Sequence, residues 1–455
     1  MASAVARKKA PGLRHLLPLP FGPMKQSRRD PLGFLLDGLL RYGDVFRYQL
    51  GPLVFHLVGH PDHVKHVLLD NQKNYPRSWY YDRTKPIVGE GLVTTEGAAW
   101  RRLRRMAQPA FHPQRVAALA GVMTDSTRAM LDRWQAHART GETVDVAEEF
   151  VGLTLRIVCR ALLSIELEGA ADQIVLAVEA ALEFTQHRID SLVALPMFVP
   201  TPRNLKIRPS IRIIDTIIYG IIARRRREPD HDSGDLLSML LATRDEETGE
   251  GLTDRELRDQ ILTFIAAGHE TTAVALAWTF YLLSQHPEAE SRLRTEVKTA
   301  LNGRLPTLSD LPKLVFTRQV IEESLRLYPP VYALIRDAKH DDEIGGYHIP
   351  ARSMVILSPY VTHRHPGFWP DPERFDPDRF SPERSACRPR FAWFPFLGGP
   401  HQCIGQEFAM MEAILIVAMV AQEFRLQLVP GTRVEPKPML SLRPGNGLPM
   451  TIHSA

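Results

Sequence analysis

Hydrophobic residues recur at helical spacing along most of the middle of the chain. From about residue 100 to about residue 290 they follow the period of amphipathic helices, with polar breaks near residues 228–235 and 244–251. A shorter alternating pattern over residues 45–58, centred on Gly51-Pro52, predicts a β-hairpin, and further short strands are expected within residues 344–357. The pattern therefore predicts a mainly α fold with a small β region.

One predicted helix is marked at both ends. Thr253 and Glu256 have the spacing of a capping box, and Leu252 and Leu257 flank it as a hydrophobic staple. Pro287 ends the helical pattern because proline cannot continue a helix without losing a hydrogen bond. A helix of roughly 32 residues is about 48 Å long. It is long enough to cross a whole domain.

No segment predicts a signal peptide or a membrane span. The N-terminus is short and basic, and the longest apolar runs, residues 273–281 and 413–421, are shorter than the about 20 residues that a span needs. We expect these runs to be buried helix segments. The expectation is a single domain over residues 1–455 with a flexible lead-in over residues 1–20 and no transmembrane anchor.

Composition narrows the class of protein only a little. With 44% apolar and 24% charged residues, the 455-residue chain is typical of a globular protein. The net charge of +4 does not demand nucleic acid or an acidic membrane surface as a partner. Three cysteines, an odd and sparse set, fit a reducing cytoplasm better than a disulfide framework.

Cys403 lies in a glycine-rich loop, FLGGPHQCIG, at residues 396–405. Glycines let the backbone approach a flat cofactor and turn its N–H groups toward a sulfur, and Phe396 can shield that sulfur from water. A thiolate bound to iron opposite O2 favours O–O cleavage. An isolated cysteine is more often a small buried hydrophobe. The fixed positions around Cys403 reverse that preference.

The pattern Phe-x-x-Gly-x-x-x-Cys-x-Gly resembles the haem loop of the cytochrome P450 family, and the resemblance covers essentially the whole chain. It implies the cytochrome P450 fold, with the long helix crossing the domain over the haem. It also implies haem b (iron protoporphyrin IX) as cofactor, with Cys403 as the iron ligand. The implied reaction is monooxygenation, in which O2 is activated with two electrons and the substrate is hydroxylated or epoxidised.

The middle of the long helix, AAGHETT at residues 266–272, carries a second motif. Gly268 costs about 1 kcal/mol relative to alanine and favours a local opening of the helix, which the Thr271 hydroxyl can stabilise. The stretch resembles the family's oxygen-activation motif. That implies Glu270 and Thr271 as the catalytic pair, with Thr271 bonding the oxygen ligand and Glu270 connected to solvent water. A zinc-protease motif is excluded because Ala273 stands at its second histidine.

Glu323 and Arg326 are three residues apart on a predicted helix, so their side chains can pair on one face. Such a pair is common by chance. In the family, a second arginine joins it to form a structural scaffold below the haem, and Arg379 is the matching position. Asp378 stands where the family usually has glutamate before that arginine. Arg374 is the alternative, but it stands one position too early in the family's Phe-x-Pro-x-Arg-Phe pattern.

The propionates of a haem need cationic or N–H partners. His401 stands where the family usually has arginine, which puts a titratable group at that position. The resemblance implies that the cofactor is held by Trp100, Arg104, Arg336, Phe396, His401 and Gly405.

The resemblance also implies a separate ferredoxin or flavodoxin with its reductase as electron donor, so that NAD(P)H acts only indirectly. Arg101 and Arg105, on the Trp100 helix, are candidates for a basic docking face, with the alternative that they balance local acids. We expect a cytoplasmic location and no nucleic-acid partner.

An apolar pocket is expected for a lipophilic small molecule such as a fatty acid, terpenoid, steroid or polyketide. Its expected lining includes Ala266, Ala267, Val331, Ala333 and Leu334. Residues 331–335 and 79–93 match substrate-contacting segments of the family. Three alternatives stay open. A peroxide-driven hydroxylase or a hydroperoxide-rearranging enzyme of the same fold has less need of Glu270 and Thr271, and a haem-binding sensor would have no turnover.

Overall fold

The computed structural model describes residues 8–13, 29–164, 170–191, 194–227 and 234–455. The chain forms two compact units, each built from two separate stretches. The first unit comprises Met1–Tyr80 and Glu322–Cys403, and the second comprises Tyr81–Ile321 and Ile404–Ala455. Neither unit is therefore one contiguous segment of the sequence.

Short strands occur in both units. Numbered along the chain, they are β1 (Gly12–Leu13), β2 (Val45–Leu50), β3 (Leu53–Val58), β4 (Thr143–Asp145), β5 (Leu334–Asp337), β6 (Asp342–Ile344), β7 (Tyr347–Ile349), β8 (Met354–Leu357), β9 (Phe424–Leu428), β10 (Pro436–Pro438), β11 (Leu442–Pro444) and β12 (Pro449–Ser454).

The first unit is organised around a five-stranded sheet in the order β1-β2-β3-β8-β5. The predicted hairpin is confirmed, because β2 and β3 pair antiparallel from Val45 opposite Val58 to Leu50 opposite Leu53. Gly51 takes a φ of +57° in the connecting turn, a conformation that glycine adopts without strain. β3 then pairs parallel with β8, and β8 pairs antiparallel with β5. A separate hairpin joins β6 and β7.

The helix Pro31–Tyr42 covers part of this sheet. Asp30 caps its N-terminus by accepting a hydrogen bond from the Gly33 N–H at 2.8 Å. Phe34 and its apolar neighbours on one face pack against Phe46 and Leu57 of the sheet. The other α-helices of the first unit are Pro61–Lys65, Pro359–Thr362 and Pro382–Ser385.

The second unit is predominantly helical, as the sequence pattern predicted. Its α-helices are Lys85–Val88, Gly97–Ala107, Pro113–Ala118, Ala120–Thr140, Val146–Leu163, Ala170–Asp190, Pro202–Arg227, Leu236–Ala242, Asp254–Gln285, Pro287–Leu301 and Gln406–Glu423, and Val315–Leu327 contains residues of both units. Two small sheets, β4-β12-β9 and β10-β11, complete the unit. Across both units, the short 3₁₀ and π segments are His66–Asp70, Gln72–Asn74, Trp79–Thr84, Gln108–Phe111, Leu308–Lys313, Pro377–Phe380, Arg390–Ala392 and Gly399–His401.

The helix Asp254–Gln285, hereafter the central helix, has both predicted ends. The Thr253 hydroxyl accepts from the Glu256 N–H at 3.2 Å, and the Glu256 carboxylate accepts from the Thr253 N–H at 2.8 Å. The helix then runs for 32 residues without a break. The local opening expected at Gly268 is therefore not seen as an interruption of the helix.

The central helix is also long and apolar enough to cross a membrane, but most of its apolar stretch is buried inside the protein. Such burial is typical of a core helix. The apolar runs at residues 273–281 and 413–421 are likewise almost wholly buried, as predicted.

Two sequence predictions fall partly or wholly outside the described residues. Of the lead-in at residues 1–20, only residues 8–13 are described, and Gly12 and Leu13 pair with β2. Of the loop predicted at residues 228–235, only residues 234 and 235 are described.

Candidate active site

The loop around Cys403 has a defined shape. Leu397 and Gly399 take φ values of +61° and +67°, and the Cys403 N–H donates to the Phe396 carbonyl at 2.9 Å. A Cβ added to Gly399 would lie 2.0 Å from the Leu68 carbonyl oxygen, so this position needs glycine for space as well as conformation. The Cys403 residue is exposed at the end of the turn.

The buried cysteine behaves differently. Cys159 lies in the core of the second unit, where burial raises the pKa of its thiol to about 12. A thiol with such a pKa stays protonated and is a poor metal ligand or nucleophile. Of these two cysteines, Cys159 is therefore the less suitable iron ligand, and Cys403 stays the predicted one.

Basic side chains gather beside the cysteine loop in the first unit. The Arg77 Nη2 lies 2.9 Å from His401 Nδ1. Arg77 also forms a β-bridge with Arg336, and the neighbouring Ser78 N–H donates to the Ile335 carbonyl at 3.3 Å. This pairing places Arg77 with Arg336 and His401, both of which the sequence had suggested as haem-binding residues. No sequence signal pointed to Arg77.

The structure also brings together the three predicted scaffold residues. Arg326 donates to the two oxygens of Glu323 from Nε at 2.6 Å and from Nη2 at 2.8 Å, and Arg379 Nε lies 3.4 Å from Glu323 Oε1. All three side chains are buried. Arg374 has an exposed side chain and contributes its backbone carbonyl to Arg326 at 3.1 Å. Arg379, not Arg374, is thus the second arginine beside Glu323.

The scaffold fixes the backbone that leads to the cysteine loop. Arg326 Nη1 donates to the carbonyls of His363 at 3.0 Å and Pro372 at 2.6 Å. Glu323 accepts from the Asp376 N–H at 2.9 Å. His363 in turn accepts from the Phe394 N–H at 2.9 Å through Nε2, two residues before Phe396. A chain of buried hydrogen bonds therefore connects the helix end to the loop.

In the second unit, the middle of the central helix is partly uncovered. Ala267 is exposed and Ala266, Gly268 and Thr271 are half-buried, whereas the turns on either side are buried almost all round. These small residues leave an open face where a flat group or an apolar molecule can approach the helix. Two of the predicted pocket residues, Ala266 and Ala267, lie on it.

Three hydroxyl groups bond three successive carbonyls in this part of the helix. Thr271 Oγ1 donates to the Ala267 carbonyl at 2.7 Å and Thr272 Oγ1 to the Gly268 carbonyl at 3.0 Å. Thr154, on the helix Val146–Leu163, donates to the His269 carbonyl at 2.9 Å. Gly268 permits this helix contact, because an added Cβ would lie 2.9 Å from Val158.

Glu270 has protein partners. Its Oε1 accepts from Ser441 Oγ at 2.6 Å and from Arg443 Nε at 2.8 Å, and the residue is only 4% exposed. The Arg443 side chain is 37% exposed. The Glu270 carboxylate thus contacts an arginine of the β10-β11 hairpin, which the sequence did not indicate. The connection of Glu270 to solvent water that the family resemblance implied stays a prediction.

Two titratable groups accompany this ion pair. Burial raises the pKa of the Glu179 carboxyl, Arg443 acts to lower it and Glu148 raises it further. Burial lowers the pKa of His269, whose Nδ1–H donates to the Ile265 carbonyl at 2.7 Å. His269 is thus held neutral as a core residue, and Arg443 contacts Glu270 and also lowers the pKa of Glu179 through its charge.

Trp100 and Arg104 lie four residues apart on the helix Gly97–Ala107, with Trp100 buried and Arg104 half-buried. Other arginines of this helix have acidic partners. Arg105 contacts Asp245 and Glu247, each at 3.0 Å, and Arg102 contacts Glu256 at 2.5 Å.

The surroundings of Asp245 indicate that its contact with Arg105 stabilises a buried carboxylate. Burial acts to raise the pKa of its carboxyl, but the N–H groups of Glu247 and Thr248 and the Arg105 guanidinium lower it more strongly. For Arg105 this geometry favours the alternative of balancing local acids. Arg101 is exposed.

The remaining predicted site residues lie in the first unit, apart from Gly405. Val331 and Ala333 are half-buried, whereas Leu334 is buried in the core around β5 and β8. Leu334 is opposite Leu357 in the sheet, so its side chain belongs to the core and not to the pocket lining we expected. Phe396 is half-buried with its ring centroid 6.5 Å from that of Trp393, and Gly405 precedes the helix Gln406–Glu423.

Comparison with known proteins places the chain in a family. The cytochrome P450 family model matches residues 17–450, which include parts of both units, and the chain belongs to the cytochrome P450 family. It is therefore a haem-containing monooxygenase, and the mainly α fold predicted from the sequence is confirmed.

Named relatives support this assignment. Cyclooctatin synthase and cyclooctat-9-en-7-ol 5-monooxygenase of Streptomyces melanosporofaciens are 37% and 40% identical, over 92% and 89% of this chain and 90% and 87% of their own. Pentalenene oxygenase of Streptomyces avermitilis is 36% identical over 90% of each chain. The crystal structure of the cytochrome P450DA heme domain matches with a TM-score of 0.89, at 25% identity and 98% coverage of each chain.

Proposed function

We propose that the protein is a single-domain, cytoplasmic haem b monooxygenase that hydroxylates or epoxidises a lipophilic terpenoid. Two electrons and O2 are consumed per turnover. The electrons pass from NAD(P)H through a reductase to a ferredoxin or flavodoxin and then to this protein.

The observation that carries the proposal is the exposed Cys403 thiol in its shaped loop beside a basic cluster. The donor set fits a haem, because haem iron can be held by a single cysteine thiolate, which Cys403 would supply. Arg77, Arg336 and His401 would supply cationic or N–H partners for the propionates. The family resemblance implies Trp100 and Arg104 as further propionate partners. Phe396 would shield the thiolate and Gly405 would let the backbone pass close to it.

The bound haem would supply activation of O2 and insertion of one oxygen atom into the substrate. The protein supplies protons and excludes water. The Thr271 hydroxyl is oriented by its bond to the Ala267 carbonyl, which directs its hydrogen to that carbonyl and leaves its oxygen lone pairs to accept a bond. Glu270 is the residue before Thr271 in the helix. It would exchange protons after its hydrogen bonds with Arg443 and Ser441 break.

The substrate class follows from the relatives and the open helix face. Their names refer to oxidation of cyclooctat-9-en-7-ol and of pentalenene, both lipophilic cyclic molecules. Ala266 and Ala267 give the central helix a smooth apolar surface, which suits a bulky hydrocarbon skeleton. Among the classes considered from the sequence, a terpenoid therefore ranks above a fatty acid, steroid or polyketide.

The first experiment tests the iron ligand. Reduced wild-type protein with carbon monoxide should show the far-red-displaced Soret band of a haem thiolate, and Cys403→Ser should lose it. Cys387→Ser is the matched control, because Cys387 is also an exposed free cysteine. A band that survives Cys403→Ser would refute the assignment of the ligand.

The second experiment separates the possible reactions. Cyclic terpenes that shift the haem from low to high spin are tested for turnover with NAD(P)H, a ferredoxin and its reductase, and in parallel with H2O2. Product only with the electron-transfer proteins supports the proposal. Product only with peroxide identifies a peroxide-driven hydroxylase. Rearrangement of a lipid hydroperoxide, tested in parallel, identifies a hydroperoxide-rearranging enzyme. Product under none of these conditions supports a haem-binding sensor.

A further inference from the structure

A π turn of the first unit lies directly against the cysteine loop. The turn comprises His66–Asp70, and its Leu68 carbonyl faces Gly399. A Cβ added to Gly399 would lie 2.0 Å from the Leu68 oxygen, so the two backbones are in close contact. The Gly399 carbonyl in turn accepts from the Gln402 N–H at 3.1 Å, one residue before Cys403. The position of the π turn therefore affects the shape of the loop that carries the thiol.

One carboxylate, that of Asp342, bonds both ends of the π turn. The turn is closed by the Asn71 N–H, which donates to the His66 carbonyl at 2.8 Å. The side chains of these two residues meet again at Asp342, because its Oδ2 accepts from Asn71 Nδ2 at 3.0 Å and lies 2.8 Å from His66 Nε2. Tyr75 Oη donates to the same oxygen at 2.6 Å. Asp342 thus holds the first residue of the turn and the residue that closes it.

The π conformation makes these bonds important. Hydrogen bonding of the π type is rare, occurs mostly as single turns and is frequent at functional sites. A single turn gains little from helix propagation, so tertiary contacts decide whether it forms. Val67 and Leu68 provide apolar contacts, since both are buried in the core of the first unit. The three bonds to Asp342 provide the polar contacts.

The Asp342 carboxylate stays ionised in this position. Burial acts to raise the pKa of its carboxyl, but the bonds from Tyr75 and His66 and the Glu343 N–H lower it more strongly. Hydrogen bonds to an ionised acceptor are roughly twice as strong as neutral ones. The Asp342 side chain is only 17% exposed, which limits competition from water for these bonds. The carboxylate is therefore a strong point of attachment for the turn.

We propose that Asp342 is a positioning residue for iron ligation by Cys403. It acts through the π turn, whose Leu68 carbonyl supports Gly399 and with it the cysteine loop. Without the bonds to Asp342, the turn would relax and the loop would hold the thiolate less well. The inference rests on the proposed function, because it concerns the loop that would supply the iron ligand.

The test follows the reduced carbon monoxide complex of the purified holoprotein, in urea below the unfolding transition. The observable is the rate at which the far-red-displaced Soret band is lost. Asp342→Asn keeps the size of the side chain but turns one of its ends into a donor that faces other donors. We expect the band of this variant to decay about tenfold or more faster, because bonds to a charged group are lost. Tyr75→Phe removes one bond and should cause a smaller acceleration.

The neighbouring acid provides the matched control. Asp341 lies 3.1 Å from His348 Nε2 and accepts from the Ala351 N–H at 2.9 Å. Asp341→Asn also removes one negative charge from this part of the chain. Its carbon monoxide complex should decay at the wild-type rate.

A double variant separates positioning from a general loss of stability. Gly399→Ala places a methyl group against the Leu68 carbonyl from the side of the loop. A turn loosened by Asp342→Asn can move away from that methyl group. The double variant should therefore lose the band no faster than Gly399→Ala alone, whereas the effects of independent sites multiply. Circular dichroism in the same urea solution shows that each variant is still folded.

Two results would overturn this inference alone. One is equal decay of Asp342→Asn and Asp341→Asn, and the other is multiplication of the Asp342 and Gly399 effects. If Asp342→Asn does not load haem, Tyr75→Phe takes its place in both comparisons. A wild-type protein without the far-red-displaced band would overturn the proposed function as well.

Discussion

The buried carboxylate of Glu323 offers a sharp test of the scaffold. Its two oxygens accept from Arg326 and from the Asp376 N–H, and Arg379 lies beside them. A third arginine, Arg388, lies near this cluster with its guanidinium 4.1 Å from the ring centre of Trp369. Burial lowers the pKa of Arg388 to about 10, with Glu323 opposing and the neighbouring arginines adding to the effect. One carboxylate thus compensates several buried cations.

Glu323→Gln keeps the shape and removes the charge. The amide nitrogen would face guanidinium donors where a carboxylate oxygen now accepts. Loss of one partner from a buried ion pair costs about 3–5 kcal/mol because the other charge stays buried. With total stabilities of about 5–15 kcal/mol, such a loss is a large part of what holds a domain folded. We therefore expect a markedly lower denaturation midpoint and loss of the thiolate carbon monoxide complex.

The assay is urea unfolding followed by circular dichroism and by the carbon monoxide complex. Asp37→Asn is the control, because the exposed Asp37–Arg41 pair at 3.3 Å should contribute about 0–1 kcal/mol. Arg379→Ala should resemble Glu323→Gln, and Arg374→Ala should resemble the control, since the Arg374 side chain is exposed. If Glu323→Gln unfolds at the same urea concentration as Asp37→Asn, the argument from buried charge is wrong.

Three further changes test other parts of the structure. Arg443→Gln should release Glu270 and alter proton delivery, seen as a changed solvent isotope effect and a changed yield of product per NAD(P)H. It should also lower stability, because the buried Glu270 carboxylate loses its cationic partner. Arg77→Ala should speed haem transfer to apomyoglobin about tenfold or more, because a hydrogen bond to a charged group is worth about 1.5–3 kcal/mol. Burial, with Arg47 and His348 nearby, lowers the pKa of His56 from 6.5 to about 4. Since unfolded histidine gains its proton near pH 6.5, the free energy of unfolding should fall by up to roughly 3 kcal/mol between pH 6.5 and 4, and His56→Leu should flatten that slope.

The Arg443 and Arg77 changes each have a control in the same unit. Arg425→Gln breaks the surface pair with Glu290 and should leave coupling unchanged. Arg390→Ala removes an exposed arginine and should leave haem transfer unchanged. Equal effects of the Arg443 and Arg425 changes, or of the Arg77 and Arg390 changes, would remove the roles given to Arg443 and Arg77. A pH slope that survives His56→Leu would assign the slope to other groups.

Features with local causes could be predicted from the sequence. The central helix was predicted at both ends because a capping box and a proline act within one turn of the boundary. The hairpin at residues 45–58 could also be predicted, because its two strands are neighbours in the sequence and are joined by a turn at Gly51-Pro52. Glu323 and Arg326 are three residues apart on one helix, so their contact was also local.

Features that depend on distant pairing could not be predicted. Arg77 and His401 are 324 residues apart, and their contact depends on the bridge between Arg77 and Arg336. Glu270 and Arg443 are 173 residues apart and meet only because the β10-β11 hairpin packs on the central helix. The arginine run at residues 224–227, which suggests a solvated surface, contains a buried Arg225 paired with Asp235 at 2.5 Å.

The middle of the central helix combines an open face of small residues with an unbroken helical backbone. An open face of small residues exposes helix backbone, and exposed backbone weakens a helix unless its carbonyls gain other partners. The hydroxyls of Thr271, Thr272 and Thr154 provide them at three successive carbonyls, so the helix continues unbroken past Gly268. The glycine therefore serves close contact with Val158 as well as openness on the other side. Thr271 therefore has two roles. Its hydroxyl bonds a carbonyl of the helix, and the same hydroxyl lies on the open face.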